Sequence, residues 1–277
     1  MLAVAPRRPR RLVYLGTPQS AVPPLEALHG AGFEIAVVVT RPDARRGRGV
    51  VMTPSPVKDA AERLGLPVSH SVDDVLEVGA DLGVVVAYGR LIRRPVLERL
   101  AFVNVHFSLL PRWRGAAPVE RALLAGDTET GVCLMALEEG LDTGPVYACE
   151  TVAIAPDATA DELRAQLVDV GTAMLVRELT AGLGEPVAQE GEPTYASKVE
   201  AAELQIDWGR PAVELERLVR VGGAWTTFRG SRLRILRAGV EDETLVPIEV
   251  QPEGKAAMSF TAWRNGARVQ PGERLGS

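Results

Sequence analysis

The chain has 277 residues, of which 46% are hydrophobic, enough for one large core or for one core and a smaller domain. Its formal net charge is −5, so a global electrostatic case for nucleic-acid binding fails and only local basic clusters can support one. No apolar run approaches the ~20 residues that a membrane helix needs, so we predict no membrane partner.

The chain begins with "MLAVAPRRPRR", where arginines follow a short apolar segment in the reverse order of a secretory signal. We expect a frayed basic leader. Cys133 and Cys149 fall in predicted strands and offer neither a disulfide framework nor a metal-ligand spacing. We interpret both as small core residues in a reducing compartment, and predict a cytoplasmic protein without a metal.

The first half of the chain alternates short β-rich runs with helical stretches. The predicted strands are "RLVYLGT", "EIAVVVT", "DLGVVVAY" and "FVNVHF", and the predicted helices between them are "PPLEALHGAG", "SPVKDAAERLGL" and "PVLERL". This alternation is typical of βαβ units. The sequence therefore predicts an α/β fold with a doubly wound, mostly parallel sheet.

The second half begins with two further predicted strands, "GVCLMAL" and "GPVYACETVAI", joined by the turn-rich "GLDTG". A long helix follows, opened by a capping box from Thr159 to Glu162. After a Gly, Pro and Glu-rich linker, "PAVELERLVRVGG" predicts an amphipathic helix, and the rest predicts short strands and turns of a small β domain. We expect a catalytic domain at 1–184, a linker at 185–200 and a β domain at 201–277.

The segment "FVNVHFSLLPRWRGAAP" (102–118) carries an amide and an imidazole in an apolar run. Because strand side chains alternate with a period of two, Asn104 and His106 share a face. Burying either without a partner costs a few kcal/mol. A satisfied core hydrogen bond explains such a pair in most proteins, but this strand ends at "SLLP", and ligands of open α/β sheets bind beyond the carboxyl ends of strands.

Asp142 lies in "GLDTG", where a carboxylate between glycines is often only a turn residue. If the fold brings Asp142 against His106, the carboxylate would favour the imidazolium and fix its orientation. With Asn104, the ring would then present two donors to an oxygen that gains negative charge, as acyl transfer requires. Ser108 lacks a G-x-S-x-G elbow, and the chain has no P-loop motif, so direct acyl transfer between two bound substrates remains.

The block "NVHFSLLPRWRGAAPVERALLAGDTETGV", followed by "MALEEGLDTGPV", resembles the signature region of the 10-formyltetrahydrofolate-dependent formyltransferases. Its "SLLPRWRGAAP" is most similar to members that act on methionyl-tRNA. Supporting matches occur in the family's order in "YLGTPQSAVPPLEAL", "VVTRPDARRGRG", "PSPVK", "VVAYGRLI", "YASKVEAAELQIDW" and "VQPEGKAAM".

This resemblance implies formyl transfer from 10-formyltetrahydrofolate, the co-substrate, to the α-amine of methionyl initiator tRNA through a tetrahedral intermediate. It implies Asn104, His106 and Asp142 as catalytic residues. It also implies a smaller C-terminal domain that is an open, OB-like β-barrel and binds tRNA. The implied folate contacts are Val86, Tyr88, Gly89, Leu91, Ser108, Leu109, Leu110, Pro111 and Asp142.

Two basic clusters are candidates for tRNA contacts. The loop "RPDARRGRGVV" supplies Arg41, Arg45, Arg46 and Arg48, and in the resembled family this loop inserts at the tRNA acceptor end, although most such runs are only solvated. The second cluster gives the smaller domain a basic strip of Arg217, Arg220, Arg229, Arg232, Arg234 and Arg237. Trp113 could stack on a base, but we favour packing or a pocket wall.

The chain departs from the resembled family near its C-terminus. Between "LRILRAGVEDET" and "LVPIEVQPEGKAAM" members of the resembled family usually carry further strands, so we expect a short second domain, for which truncation is one explanation. Two alternatives stay open: a formyltransferase of the same fold that acts on a sugar nucleotide or another small amine, and a non-catalytic folate- or RNA-binding module. We expect a monomer.

Overall fold

The computed structural model describes residues 2–45 and 52–277. These residues form two compact units. The first contains residues 2–45, 52–116, 129–153 and 164–196, and the second contains 117–128, 154–163 and 197–277. The expected division into a catalytic domain (1–184), a linker (185–200) and a β domain (201–277) concerns function and stays a prediction.

The strands of the described residues are β1 (Arg11–Gly16), β2 (Glu34–Val39), β3 (Ala44–Arg45), β4 (Met52–Thr53), β5 (Val68–Ser69), β6 (Leu82–Val86), β7 (Phe102–His106), β8 (Arg114–Gly115), β9 (Glu129–Ala136), β10 (Val146–Ala153), β11 (Tyr195–Ala196), β12 (Trp225–Phe228), β13 (Ser231–Glu241), β14 (Thr244–Pro252) and β15 (Met258–Ser259). The α-helices are α1 (Val22–Gly30), α2 (Pro56–Arg63), α3 (Arg94–Leu97), α4 (Pro118–Ala125), α5 (Ala160–Ala181), α6 (Ala212–Val221) and α7 (Phe260–Ala267). Short 3₁₀ turns lie at Gln19–Ala21 and Asp73–Leu76.

The first unit contains a seven-stranded sheet in the order β10-β9-β7-β6-β1-β2-β5. The strands from β7 to β5 pair in parallel, whereas β9 runs antiparallel to β7 and β10 antiparallel to β9. β6 is buried along its whole length, as expected for an apolar strand covered on both faces. The predicted α/β class with a mostly parallel sheet is confirmed.

Local capping explains where two of the helices begin. Ser55 precedes α2, its Oγ accepts a hydrogen bond from the Lys58 N–H at 3.0 Å, and Pro56 occupies the first helical turn, where no donor is needed. The predicted capping box before α5 is present, because Thr159 Oγ1 accepts from the Glu162 N–H and Glu162 Oε2 accepts from the Thr159 N–H.

The expectation of a frayed leader is wrong. The Ala3 N–H donates to the Leu97 carbonyl at 2.8 Å, and Leu2 packs against the core of the first unit. Further along, the carbonyl of Arg7 accepts from the Leu183 N–H at 2.8 Å. The leader is held because tertiary hydrogen bonds satisfy part of its backbone and Leu2 packs against the core, neither of which the charge order of the segment reveals.

The interpretation of the cysteines as separate core residues is also wrong. Cys133 on β9 and Cys149 on β10 are direct cross-strand partners, and their sulfur atoms are bonded. Cys133 is fully buried, whereas Cys149 is exposed. Two cysteines 16 residues apart meet because the β9–β10 hairpin sets their register, which spacing alone does not supply.

The second unit contains an antiparallel sheet in the order β12-β13-β14-β15. Helices α6 and α7 pack against this sheet and share an apolar core with it. This sheet confirms the predicted smaller C-terminal β domain. Asp242 and Glu243, both with positive φ, turn β13 directly into β14 at the place where the sequence is short. The expectation of only strands and turns near the end is wrong, since α7 is a helix whose Trp263 is buried.

Candidate active site

β7 supplies two of the three polar residues that the sequence singles out. Its burial pattern leaves Asn104 half-buried and His106 only 5% exposed, and the period of two places both side chains on one face of the sheet. Asn104 lies between Val85 on β6 and Met135 on β9, and His106 is the cross-strand partner of Cys133. The sheet therefore fixes the spacing of the amide and the imidazole.

The ring of His106 lies between two oxygen atoms. Its Nε2 atom lies 2.9 Å from the carbonyl oxygen of Trp113, and its Nδ1 atom lies 3.6 Å from Oδ2 of Asp142. A carbonyl can only accept, so Nε2 carries a hydrogen in this arrangement. Nδ1 is then the ring nitrogen on the side that faces the carboxylate.

Asp142 reaches His106 from the loop between β9 and β10. Its Oδ2 accepts a hydrogen bond from the Gly115 N–H at 2.8 Å, and the residue has a φ of 50°, in the left-handed region. Gly144 allows the loop to approach the sheet, because a Cβ there would lie 1.9 Å from the carbonyl oxygen of Ala136. The structure thus brings Asp142 and His106 together and leaves Asn104 on the same face.

The segment after β7 folds back on itself. Ser108 is fully buried, and its hydroxyl donates to the Arg112 carbonyl at 2.6 Å. Leu109, Leu110 and Pro111 are half-buried, and the peptide bond before Pro111 is cis. The Arg112 guanidinium lies 4.4 Å from the centre of the Trp113 ring. Trp113 is half-buried, and its backbone N–H donates a hydrogen bond to Thr194 Oγ1. Packing of Trp113, which we favoured from the sequence, matches these contacts.

The segment after β6 carries the other expected folate contacts. Val86 and Tyr88 are buried, whereas the Leu91 side chain is 76% exposed. Burial raises the pKa of the Tyr88 hydroxyl above its ordinary value, although the nearby Arg90 guanidinium acts in the opposite direction. The Gly89 carbonyl accepts from the Arg41 guanidinium at 2.9 Å. Arg41, expected to contact tRNA, therefore lies against this segment.

The expected tRNA contacts differ in their surroundings. Arg45 is exposed on β3, and Arg46 and Arg48 lie outside the described residues. In the second unit, Arg217 packs against Gly126, and Arg220 pairs with Glu216 and donates to the Ala158 carbonyl. The arginines that β13 leaves exposed are Arg232, Arg234 and Arg237. Arg229, on the turn before β13, pairs with Glu273.

Sequence reasoning missed Gln189, in the stretch that we interpret as a linker. Its side-chain N–H groups donate to the carbonyl oxygens of Asp142 and Gly144, each at 2.8 Å, and its Oε1 accepts from Arg114. Its position was a weak signal, because "AQEG" lies shortly before "YASK", which begins one of the matches to the resembled family. An aperiodic segment gives no indication of which side chain turns inward.

The part of the chain that the structure describes has neither a metal-binding cluster nor a membrane-spanning helix. Within residues 2–45 and 52–277, no cluster of three or more His, Cys, Asp or Glu side chains could hold a metal ion. In the same ranges, no helix is both long and apolar enough to cross a membrane.

Comparison with known proteins identifies the family. Residues 10–179 match the family model described as formyl transferase, and residues 198–247 match the one described as formyl transferase, C-terminal domain. A methionyl-tRNA formyltransferase of Roseobacter denitrificans is 41% identical, over 95% of this chain and 97% of that protein. The chain belongs to the methionyl-tRNA formyltransferase family. It is accordingly a one-carbon transferase.

Solved structures extend the family likeness to the fold. The methionyl-tRNA formyltransferase from Clostridium thermocellum matches with a TM-score of 0.62 and 16% identity, covering 87% of this chain and 98% of that one. HypX from Aquifex aeolicus, in complex with tetrahydrofolic acid, matches with a TM-score of 0.66 and 16% identity. That match covers 93% of this chain and 47% of HypX, so the chain spans about half of that protein.

Proposed function

We propose that this chain transfers the formyl group of 10-formyltetrahydrofolate to the α-amine of the methionine carried by initiator tRNA. One observation carries the proposal: the ring of His106 is held between the Trp113 carbonyl and the Asp142 carboxylate, at the end of a strand that presents Asn104 on the same face. The family supports the same reaction, because its members are named for methionyl-tRNA.

The reaction joins the amine nitrogen to the formyl carbon and breaks the bond between that carbon and the folate nitrogen, which receives the proton that the amine loses. The formyl oxygen gains negative charge during the attack, and donors placed there lower the barrier. Asn104 and His106 are the donors that we assign. Because 3.6 Å exceeds a hydrogen-bond length, a hydrogen on Nδ1 of His106 is not committed to Asp142 and can donate to the oxygen.

We assign folate binding to the segment after β6 and to the turn after β7. Ala87 and Gly89 both have positive φ, so the backbone after β6 turns sharply and leaves peptide groups at the strand end. Leu91, which is 76% exposed, offers an apolar surface for a flat heterocycle, and Asp142 belongs to the assigned reaction centre. These features fit the proposed pterin contacts.

We assign tRNA binding to Arg41 and Arg45 of the basic loop, with Arg46 and Arg48 beside them in sequence, and to the second unit. The exposed arginines of β13 support this assignment, because phosphate contacts need only local charge when the net charge is −5. Catalysis accordingly belongs to residues 1–184, which also carry the basic loop, and the remaining tRNA contacts belong to 201–277, with 185–200 as the linker.

We also propose that the protein acts as a monomer in the cytoplasm. We base the cytoplasmic location on the proposed role in translation. The cysteines do not support it, because Cys133 and Cys149 form a disulfide and are not reduced thiols. Size-exclusion chromatography with light scattering at two protein concentrations tests the monomer: a mass that rises to twice 29.7 kDa would contradict it.

The proposed reaction is tested by incubating the protein with radiolabelled 10-formyltetrahydrofolate and one of three acceptors: methionyl-tRNA, an amino sugar nucleotide, or glycinamide ribonucleotide. We expect label to enter methionyl-tRNA. Asn104→Ala and His106→Ala should each lower kcat by about 10²-fold or more, with a smaller effect on KM. His29→Ala, on the exposed end of α1, is the matched control and should leave kcat unchanged.

The outcomes separate the proposal from its alternatives. Label in the sugar or ribonucleotide acceptor alone would assign another formyltransferase activity. Binding of folate or tRNA without transfer to any acceptor would indicate a binding module. Near-normal turnover in His106→Ala would refute the catalytic assignment while leaving the reaction in place.

A further inference from the structure

We infer that Gln189, braced by Arg114, is a positioning residue that holds the Asp142 carboxylate against His106. The inference rests on the proposed function, because it concerns the same reaction centre. It goes beyond that proposal by giving a specific role to a side chain in the stretch between the long helix and the second unit.

Asp142 needs an external support. It is a non-glycine residue at φ 50°, a conformation that the surrounding structure must hold in place. Its neighbours Leu141 and Thr143 are exposed, so little packing fixes the loop from within. The single hydrogen bond from the Gly115 N–H to Oδ2 orients the carboxylate but does not hold the loop backbone.

Gln189 supplies that support to the backbone itself. Its two N–H groups donate to the carbonyl oxygens of Asp142 and Gly144, each at 2.8 Å. The register is fixed two residues earlier, where Val187 and Val146 exchange backbone hydrogen bonds at 2.7 and 2.8 Å. The side chain therefore spans the end of the loop that carries the carboxylate.

Arg114 sets the orientation of the Gln189 amide. Its Nε and Nη2 atoms donate to Oε1 of Gln189 at 3.0 and 2.6 Å. A flipped amide would set its oxygen against two carbonyl oxygens and its N–H groups against a guanidinium, so only one orientation satisfies all partners. Arg114 is itself placed by the hydrogen bond from its N–H to the Thr194 carbonyl at 2.9 Å.

The arrangement links both sides of the His106 ring. Trp113 contributes the carbonyl that faces Nε2, Arg114 follows it and braces Gln189, and Gly115 donates to Asp142. Residues 113–115 therefore contact the ring on one side and, on the other, hold Asp142 through its carboxylate directly and through its backbone by way of Gln189. Loss of Gln189 should displace Asp142 without removing any group that touches substrate.

The test compares Gln189→Ala and Gln189→Glu with Glu190→Gln, an exposed neighbour that serves as control. Glutamate keeps the length and the pairing with Arg114 but loses both donors, so it tests the same contacts without truncating the side chain. We expect both Gln189 variants to lower kcat for methionyl-tRNA about 10- to 100-fold, with KM changed less than about threefold. Glu190→Gln should match the wild type.

Combination with Asp142→Ala decides whether Gln189 acts through the carboxylate. If it does, adding Gln189→Ala to Asp142→Ala should change the single-turnover rate by less than about twofold, because residues in one network are not additive. A full additional loss in the double variant would overturn the inference. So would a kcat within twofold of the wild type in Gln189→Ala.

A second readout needs no substrate. The Gly115 N–H is bonded to Oδ2 of Asp142, so its hydrogen exchange should accelerate in Asp142→Ala and in Gln189→Ala to a similar extent. Unchanged exchange in Gln189→Ala would overturn the inference. If the wild type fails to formylate methionyl-tRNA, the proposed function fails, and the exchange of Gly115 still decides the role of Gln189.

Discussion

The Nδ1 atom of His106 lies 3.6 Å from the Oδ2 atom of Asp142, and the same carboxylate oxygen accepts a hydrogen bond from the Gly115 N–H at 2.8 Å. The carboxylate is thus anchored to the backbone and faces the ring without bonding to it. Nδ1 is therefore the ring nitrogen that faces the negative charge of the carboxylate.

This arrangement predicts the effect of Asp142→Asn. The amide oxygen can still accept from Gly115, but the negative charge beside the ring is lost, so we expect kcat to fall at least about tenfold while KM for methionyl-tRNA changes little. Steady-state formylation assays measure both quantities. Asp157→Asn, at an exposed position, is the control. Equal kcat values in the two variants would show that the charge has no role.

The disulfide between Cys133 and Cys149 predicts a dependence of stability on reductant. A cross-link that closes a loop of this length stabilises a protein by about 3 kcal/mol, chiefly by restricting the unfolded chain. Cys149 is exposed, so a phosphine reductant can reach the bond. We expect reduction to lower the free energy of unfolding, measured by denaturant titration.

The double variant Cys133→Ser/Cys149→Ser is the control for this effect. Its stability should match that of the reduced wild type and should not respond to the reductant. Detection of two free thiols in the unreduced, denatured wild type would contradict the prediction.

Asp81 predicts a pH dependence for the first unit. Its pKa lies below the ordinary value, because the backbone N–H groups of Arg11 and Arg10 donate to its carboxylate at 2.9 and 2.8 Å. A carboxylate whose folded pKa is depressed stabilises the protein above its unfolded pKa, and this contribution is lost as the pH falls through the folded pKa. We therefore expect stability to decline in acid as Asp81 is protonated.

Asp81→Asn should remove this contribution. We expect its thermal midpoint at pH 7 to fall by about 2–4 °C, and the gap to the wild type should narrow as the pH is lowered below 4. Differential scanning calorimetry across this range measures the gap. Glu77→Gln, a change of charge at an exposed position nearby, should show no such pattern. A gap that stays constant with pH would rule out the carboxylate as its source.

The part of the fold that is periodic could be predicted from the sequence. Continuous apolar runs such as Leu82–Val86 are typical of buried parallel strands, and the alternation in Phe102–His106 places the amide and the imidazole on one face. Both signals are local, because they depend on residues a few positions apart. The parallel sheet and the common face of Asn104 and His106 follow from them.

The rest depended on register and on side chains that meet across long separations. Cys133 and Cys149 face each other only because the hairpin pairs them residue for residue. Gln189 contacts carbonyl groups 45 and 47 residues earlier, from a segment without periodicity. The helix at Phe260–Ala267 is eight residues long, too short for its pattern to compete with the surrounding strand and turn signals.

The exposed arginines of β13 predict how RNA binding should respond to salt. Arg232 and Arg234 lie two positions apart on one face of the strand, and the Arg232 guanidinium lies 4.3 Å from the centre of the Trp225 ring.

Each phosphate contact releases counterions, so log K falls as log salt rises. Loss of two contacts should make this negative slope shallower by about 1.5. Arg232→Ala/Arg234→Ala should therefore bind methionyl-tRNA more weakly at low salt and lose less affinity as salt rises. Arg210→Ala/Arg264→Ala removes the same charge from two exposed positions of the same unit that lie outside β13, and should keep the wild-type slope in filter-binding titrations. Identical slopes for the two double variants would assign the effect to net charge and remove β13 from the RNA surface.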